Sequence, residues 1–314
     1  MAQTGVAPAD WAQRVLAART QDELNALWTE AVMGDFGTRA RYALINENQA
    51  ALRRVDQVMQ RTAMTAFKPL DRLSQQGAAT LFRDTVPGLI DEFGNVNAQL
   101  AKNYYQTQRF NYYHDRFMAK ADDGILLNRR ASKNLARQAT SRAQAQLDSA
   151  LQLANGYQAK LPKFDALAKS DTIVNYAMRL FMSQGAGAAG EISNALTRAV
   201  ASYNRDTILY NSALDKDVVA VQRVAEPNAC DFCQMVAFDS YGSARTSSYA
   251  ADYHSNCRCS VETLYKGDKP LVPDYYKDFP YGSNYADLED AQFDASTSAI
   301  DELRKVFTAD YVSK

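Results

Sequence analysis

All four cysteines of this 314-residue chain lie between Cys230 and Cys259, in the stretch CDFCQMVAFDSYGSARTSSYAADYHSNCRC, which also holds one of its two histidines. Cys230 and Cys233 form a C-x2-C pair, and twenty residues further on His254, Cys257 and Cys259 follow as H-x2-C-x-C. A C-x2-C turn presents two thiolates to one ion, and a second donor cluster at this separation completes a tetrahedral Zn2+ site. Thiolate and imidazole donors together favour zinc among the divalent ions. Five candidates compete for four places. Cys230 and Cys233 are the safer half, and the choice for the second half lies among His254, Cys257 and Cys259, because H-x2-C and C-x-C can each supply two ligands. The zinc complex then carries about one negative charge with a neutral imidazole and about two with four thiolates, and Arg245 and Arg258 are placed to offset it. A closed site of this kind does no chemistry. It supplies folding free energy to a module of about fifty residues, too small to be stable on its own core.

Other uses of the same residues fit less well. A thioredoxin-like pair stands at a strand-to-helix junction without further cysteine partners. Zinc nucleobase deaminases place H-x-E ahead of the C-x2-C, whereas here the order is reversed and Ser255 and Asn256 follow the histidine. Disulfides remain as an alternative, but they belong to oxidising compartments. The N-terminus, MAQTGVAPADW, has neither the basic start nor the apolar core of a signal peptide, and no run of eighteen apolar residues occurs. A cytosol-like compartment without a membrane role is therefore expected.

Ahead of the cysteines, from about residue 8 to 212, apolar residues recur at three-to-four spacing with few prolines, the pattern of amphipathic helices. Residues 8–33 read as a small helical hairpin around Trp11 and Trp28, with a capping box from Thr20 to Glu23. A second helix is predicted over about 38–64. A long one follows, with Leu89, Ile90, Phe93, Val96, Leu100 and Tyr104 along one face and Gly94 tolerated at about 1 kcal/mol. The aromatic end of that helix reads as core, and His114 receives no role. Helices over 129–153 and 164–183 come next. GAGAAG lacks the lysine and the preceding strand of a phosphate loop and reads as a helix-to-helix turn.

Charge is balanced, with 35 Lys and Arg against 36 Asp and Glu, so no global field marks the chain as a general nucleic-acid binder. A local stripe, Arg129, Arg130, Lys133 and Arg137, is a candidate nucleic-acid contact, with a solvated face as the plainer reading. From Asp217 the pattern changes: VVAVQRVA and CSVETLYK read as strands on either side of the cysteine cluster. Residues 268–314 hold ten acidic and five basic residues, with prolines and tyrosines, and read as an arm suited to lie along another protein. A terminal helix is predicted there over 287–307. The expected fold is mainly α: an elongated helical body with a small C-terminal zinc-stabilised α+β module and an extended acidic tail. Its divisions fall at 1–37 (hairpin), 38–216 (body), 217–267 (zinc module) and 268–314 (arm).

The runs VQRVAEPNACDFCQMVA and YHSNCRCSV, with FRDTVPGLIDEFGNVNAQLAKNYYQTQR upstream, resemble the minor head proteins of tailed bacteriophages. That family is typified by the F protein of phage Mu and the minor head protein of phage SPP1, and the likeness is to its actinobacteriophage form. The resemblance covers roughly residues 60–265, and its cysteine motif is the specific part. It implies a structural protein of the virion, at the portal vertex or capsid interior, assembled in the host cytoplasm and acting in head assembly or genome delivery. The implied partners are portal protein, major capsid protein and packaged double-stranded DNA, with no small-molecule substrate. A capsid maturation protease, fused to some relatives, is one alternative; with only His114 and His254 in the chain, and His254 a candidate ligand, a Ser/His pair has no convincing histidine. A stand-alone zinc DNA-binding protein is another, disfavoured by the balanced charge.

Overall fold

The computed structural model describes residues 36–125, 151–224 and 259–268, together with Ala145, Asp148, Ser149 and Leu271. Helix makes up 78% of the described residues, so this part of the fold is mainly α as expected. The hairpin at 8–33, the stripe Arg129, Arg130, Lys133 and Arg137, the ligand candidates Cys230, Cys233, His254 and Cys257, and the arm beyond Leu271 lie outside the described residues. The described elements are helices α1 (Phe36–Ala66), α2 (Gln75–Ile125), α3 (Ala166–Gln184) and α4 (Ala189–Leu214), then strands β1 (Val218–Val224) and β2 (Ser260–Tyr265). The chain divides into two compact units, residues 1–44 with 109–156 and residues 45–108 with 157–314.

In the first unit, buried Arg109 donates from Nε to the Ala154 carbonyl at 3.0 Å and from Nη2 to the Leu153 carbonyl at 3.2 Å. These carbonyls close the helical turn at 151–154, a helix end where a cation is favoured. The Tyr113 ring covers the same guanidinium at 5.1 Å.

The second unit is built around helix seams. On α1 the inward positions are Ile45, Leu52, Met59 and Ala63, with Asn48, Gln49 and Asp56 between them, which together keep the three-to-four spacing of a single stripe. Ser74 caps α2 by accepting from the Gly77 amide at 3.2 Å. The buried stripe of α2 then runs through Phe82, Val86, Leu89, Ile90, Phe93, Asn97, Ala101, Tyr104 and Tyr105. This corrects the sequence pattern at one point: Val96 is 45% exposed, and Asn97 takes the inward place. From Phe93 the stripe continues at i+4, where the Asn97 amide donates to the Val200 carbonyl of α4 at 3.2 Å. Aromatic edges lock the centre, with Phe67, Phe82 and Phe181 in T-shaped contacts at 5.5 and 6.3 Å.

The GAGAAG segment is the turn expected of it. Gly185 ends α3 at φ 60°, a conformation open to glycine, and residues Gly185–Ala188 form a short 3-10 turn into α4. The second half of α4 is buried almost all round, from Tyr203 through Ala213, which makes it the central helix of its unit. Gly94 has a stricter role than a tolerated cost. A Cβ there would stand 2.7 Å from the Tyr203 ring of α4, so the glycine lets that ring lie flat against the α2 backbone.

Gly88, on the same helix, meets nothing within 4 Å. Gly88→Ala is expected to stabilise the protein by up to about 1 kcal/mol through helix propensity. Gly94→Ala is expected to lose about 1–3 kcal/mol by overpacking, so the two have opposite signs. Denaturant midpoints of the two variants test this, and a stabilised Gly94→Ala would show that Tyr203 yields without cost.

Candidate metal centre

β1 and β2 pair antiparallel, from Val218 opposite Tyr265 to Val224 opposite Ser260, with an irregularity between Val218 and Ala220. The Val224–Ser260 pair therefore brings together the two ends of the segment that carries the cysteines. Directly opposed residues in such a ladder have Cα atoms about 5 Å apart. Cys230 lies six residues beyond Val224, and Cys259 is the residue before β2. Cys259, the one candidate ligand among the described residues, is 2% exposed. The strand ends that bound the segment holding the C-x2-C and H-x2-C-x-C are thus neighbours, as a single four-ligand site would need. Among the described residues no three His, Cys, Asp or Glu side chains gather, four of the five candidates being outside them. Which candidate is left out stays open.

The hairpin that carries this loop is held by polar groups. Alternation in the sequence suggests a strand with one solvated face, yet β2 is buried at every position and β1 at all but Val219. Buried polar side chains then require partners. Glu262 of β2 accepts from the Tyr104 hydroxyl of α2 at 2.6 Å and also from the Gln108 amide. Ser212 of α4 and Thr263 of β2 share a hydrogen bond of 3.0 Å. Gln222 of β1 reads the backbone of Leu271 at two points, donating to its carbonyl at 2.6 Å and accepting from its amide at 2.7 Å.

A second set secures the turn from α4 into β1. The Tyr105 hydroxyl donates to the Asp215 carboxylate at 2.9 Å, and Asp215 accepts from the Asp217 amide at 3.1 Å. Asn211 of α4 uses its whole side-chain amide: it accepts from Tyr157 Oη and Lys160 N and donates to the Lys160 and Thr207 carbonyls, all within 2.9 Å. Burial, with Tyr265 and Asp215 beside it, pushes the Tyr105 phenol well above its ordinary value of 10.0. Sequence periodicity marked Tyr104 and Tyr105 as core and missed these roles. The available signal was Gln108, a polar residue one turn beyond Tyr104 on the same stripe.

Glu262→Ala leaves the Tyr104 hydroxyl and the Gln108 amide without their acceptor in a closed interior. A loss of about 3 kcal/mol or more is expected, against about 1 kcal/mol for Tyr104→Phe. Equilibrium unfolding of both variants decides it; near-equal losses would show that the carboxylate is not the centre of the group. The fold holds Tyr105 in its neutral form, so its contribution is complete below the unfolded value of about 10 and is lost as pH rises through and above it. In an alkaline titration followed by phenolate absorbance, Tyr105 should ionise only with loss of helix. Tyr105→Phe should flatten the fall of stability above that pH, and an unchanged slope would count against the assignment.

Residues 39–288 match the VG15 protein family, a span that includes all but the first three residues of α1, all of α2 to α4, both strands and all five ligand candidates. No curated protein and no solved structure matches the chain significantly. The family match covers 250 of the 314 residues, and the chain belongs to the VG15 protein family, a viral gene family.

Proposed function

We propose that the protein is a structural minor head protein of a tailed bacteriophage, located at the portal vertex or in the capsid interior and acting in head assembly or genome packaging and ejection. The observation that carries this reading is the VG15 match, continuous through the helical body and the cysteine stretch. The likeness of C-x2-C and H-x2-C-R-C to the actinobacteriophage minor head proteins gives it its finer form. Its work is contact rather than catalysis. Portal protein and major capsid protein are the partners it would meet, and packaged double-stranded DNA would meet Arg129, Arg130, Lys133 and Arg137. Cys230 and Cys233, with two of His254, Cys257 and Cys259, would hold one structural Zn2+. The paired strand ends and the buried Cys259 suit a closed site of this kind. The ion would cross-link the long connection between β1 and β2, which begins and ends at neighbouring backbone.

Purified particles should contain the protein in few copies, and imaging without imposed symmetry should place it at one vertex or within the shell. Its absence from purified virions overturns the proposal. The isolated protein should carry about one zinc per chain, lost in Cys230→Ser and Cys233→Ser alike. Metal analysis well below one equivalent, from protein never exposed to chelator, would remove the zinc site but leave the virion assignment standing.

A further inference from the structure

The seam that α1 forms with α2 and α4 in the second unit is polar although it is closed to solvent. Asn48 and Gln49 of α1, Asn97 of α2, and Ser193, Thr197 and Asn204 of α4 are each at most 6% exposed. Direct bonds satisfy only part of this set. Gln60 Nε2 donates to Thr197 Oγ1 at 3.3 Å, and Asn204 Nδ2 is shared between Asn48 Oδ1 and the Asn97 carbonyl, at 3.4 Å to each. Such bonds usually lie between about 2.7 and 3.2 Å, so these contacts are loose ones.

At this crossing Asn48 Nδ2, Asn97 Oδ1 and Asn204 Oδ1 are buried with no hydrogen-bond partner in the protein. Their neighbours set which atom of each amide is left over. Asn97 Nδ2 donates to the Val200 carbonyl at 3.2 Å, which leaves its oxygen unused. Turning the Asn204 amide over would set its oxygen against the Asn97 carbonyl, and turning Asn48 alone would oppose two amide nitrogens. No rotation of the amides therefore pairs the three atoms with one another.

Buried polar groups find partners, and where the protein supplies none an ordered water does. The three atoms are one donor and two acceptors. A cation would be repelled by the hydrogens on Asn48 Nδ2, and an anion by the two oxygens. Water can accept one bond and donate two, and three bonds is the usual complement of a buried water.

We propose that one water molecule is bound where α1, α2 and α4 cross, accepting from Asn48 Nδ2 and donating to Asn97 Oδ1 and Asn204 Oδ1. It joins the three helices through one directional centre. The apolar contacts of Ile45 and Leu52 on either side of Asn48 carry no such direction, so the water fixes the register of α1, as a buried asparagine does in a helix seam.

Diffraction data from the full chain that resolve ordered solvent should show density within hydrogen-bond distance of all three atoms. A double-mutant cycle tests the same site in solution. Asn97→Ala keeps the backbone carbonyl that Asn204 uses, and no direct bond joins the Asn48 and Asn97 side chains, so the bound water is what couples them. Asn48→Ala and Asn97→Ala should each raise the unfolding constant about tenfold, and the double variant should fall about fivefold or more short of the product of the two. Where an alanine variant does not fold, the diffraction result decides. Effects that simply multiply would overturn the proposal, and so would a crystal structure with no density between the three atoms.

Discussion

A two-stranded hairpin with both faces buried is an expensive thing to put inside a helical unit, because its side chains and its backbone must all find partners away from water. β1 and β2 satisfy the backbone between themselves. The side chains draw in the helices: Glu262 reaches α2 through Tyr104 and Gln108, and Thr263 reaches α4 through Ser212. The hairpin is therefore tied to two helices by groups that lose most of their value if any one partner is missing. Both approaches to the cysteine stretch depend on this arrangement, since they leave from its Val224–Ser260 end.

α4 is the element that makes such burial possible. Its second half has hardly any solvent-facing side, and it carries Asn204, Thr207, Asn211 and Ser212 inside. Asn211 and Gln222 do similar work: each uses one side-chain amide to pair with both backbone groups of an irregular residue, Lys160 in one case and Leu271 in the other. This is strand pairing performed by a side chain. It lets the chain turn back along the unit without adding a third strand, and it fixes the root of the acidic arm at Leu271.

Two conflicting demands meet at Tyr203. The ring packs against Phe164 at 4.1 Å and lies under the Lys169 ammonium at 4.5 Å, while Lys169 is drawn to Asp206. Gly94 opens the opposite side so that the ring can enter. The helix-propensity cost of a mid-helix glycine is thus set against the close approach of two helices.

The helices of the body were legible in the sequence because a 3.6-residue period survives whatever the helix packs against. The breaks at GAGAAG and before β1 were legible because glycine and runs of valine carry local backbone preferences. The cysteine spacing likewise singles out candidate zinc ligands without reference to any fold, since ligand chemistry depends on donors and their separation. Tertiary structure alone decided which face of α2 turns inward at Asn97, why Gly94 must be glycine, and that Glu262 and Gln222 are interior. A polar residue on a strand reads as solvent-facing until its partner is known, and those partners, Tyr104 and Leu271, lie 158 and 49 positions away in the chain. Periodicity reports a residue's neighbours along its own element; the burial of a hydrogen-bonded pair depends on a second element that the period does not contain.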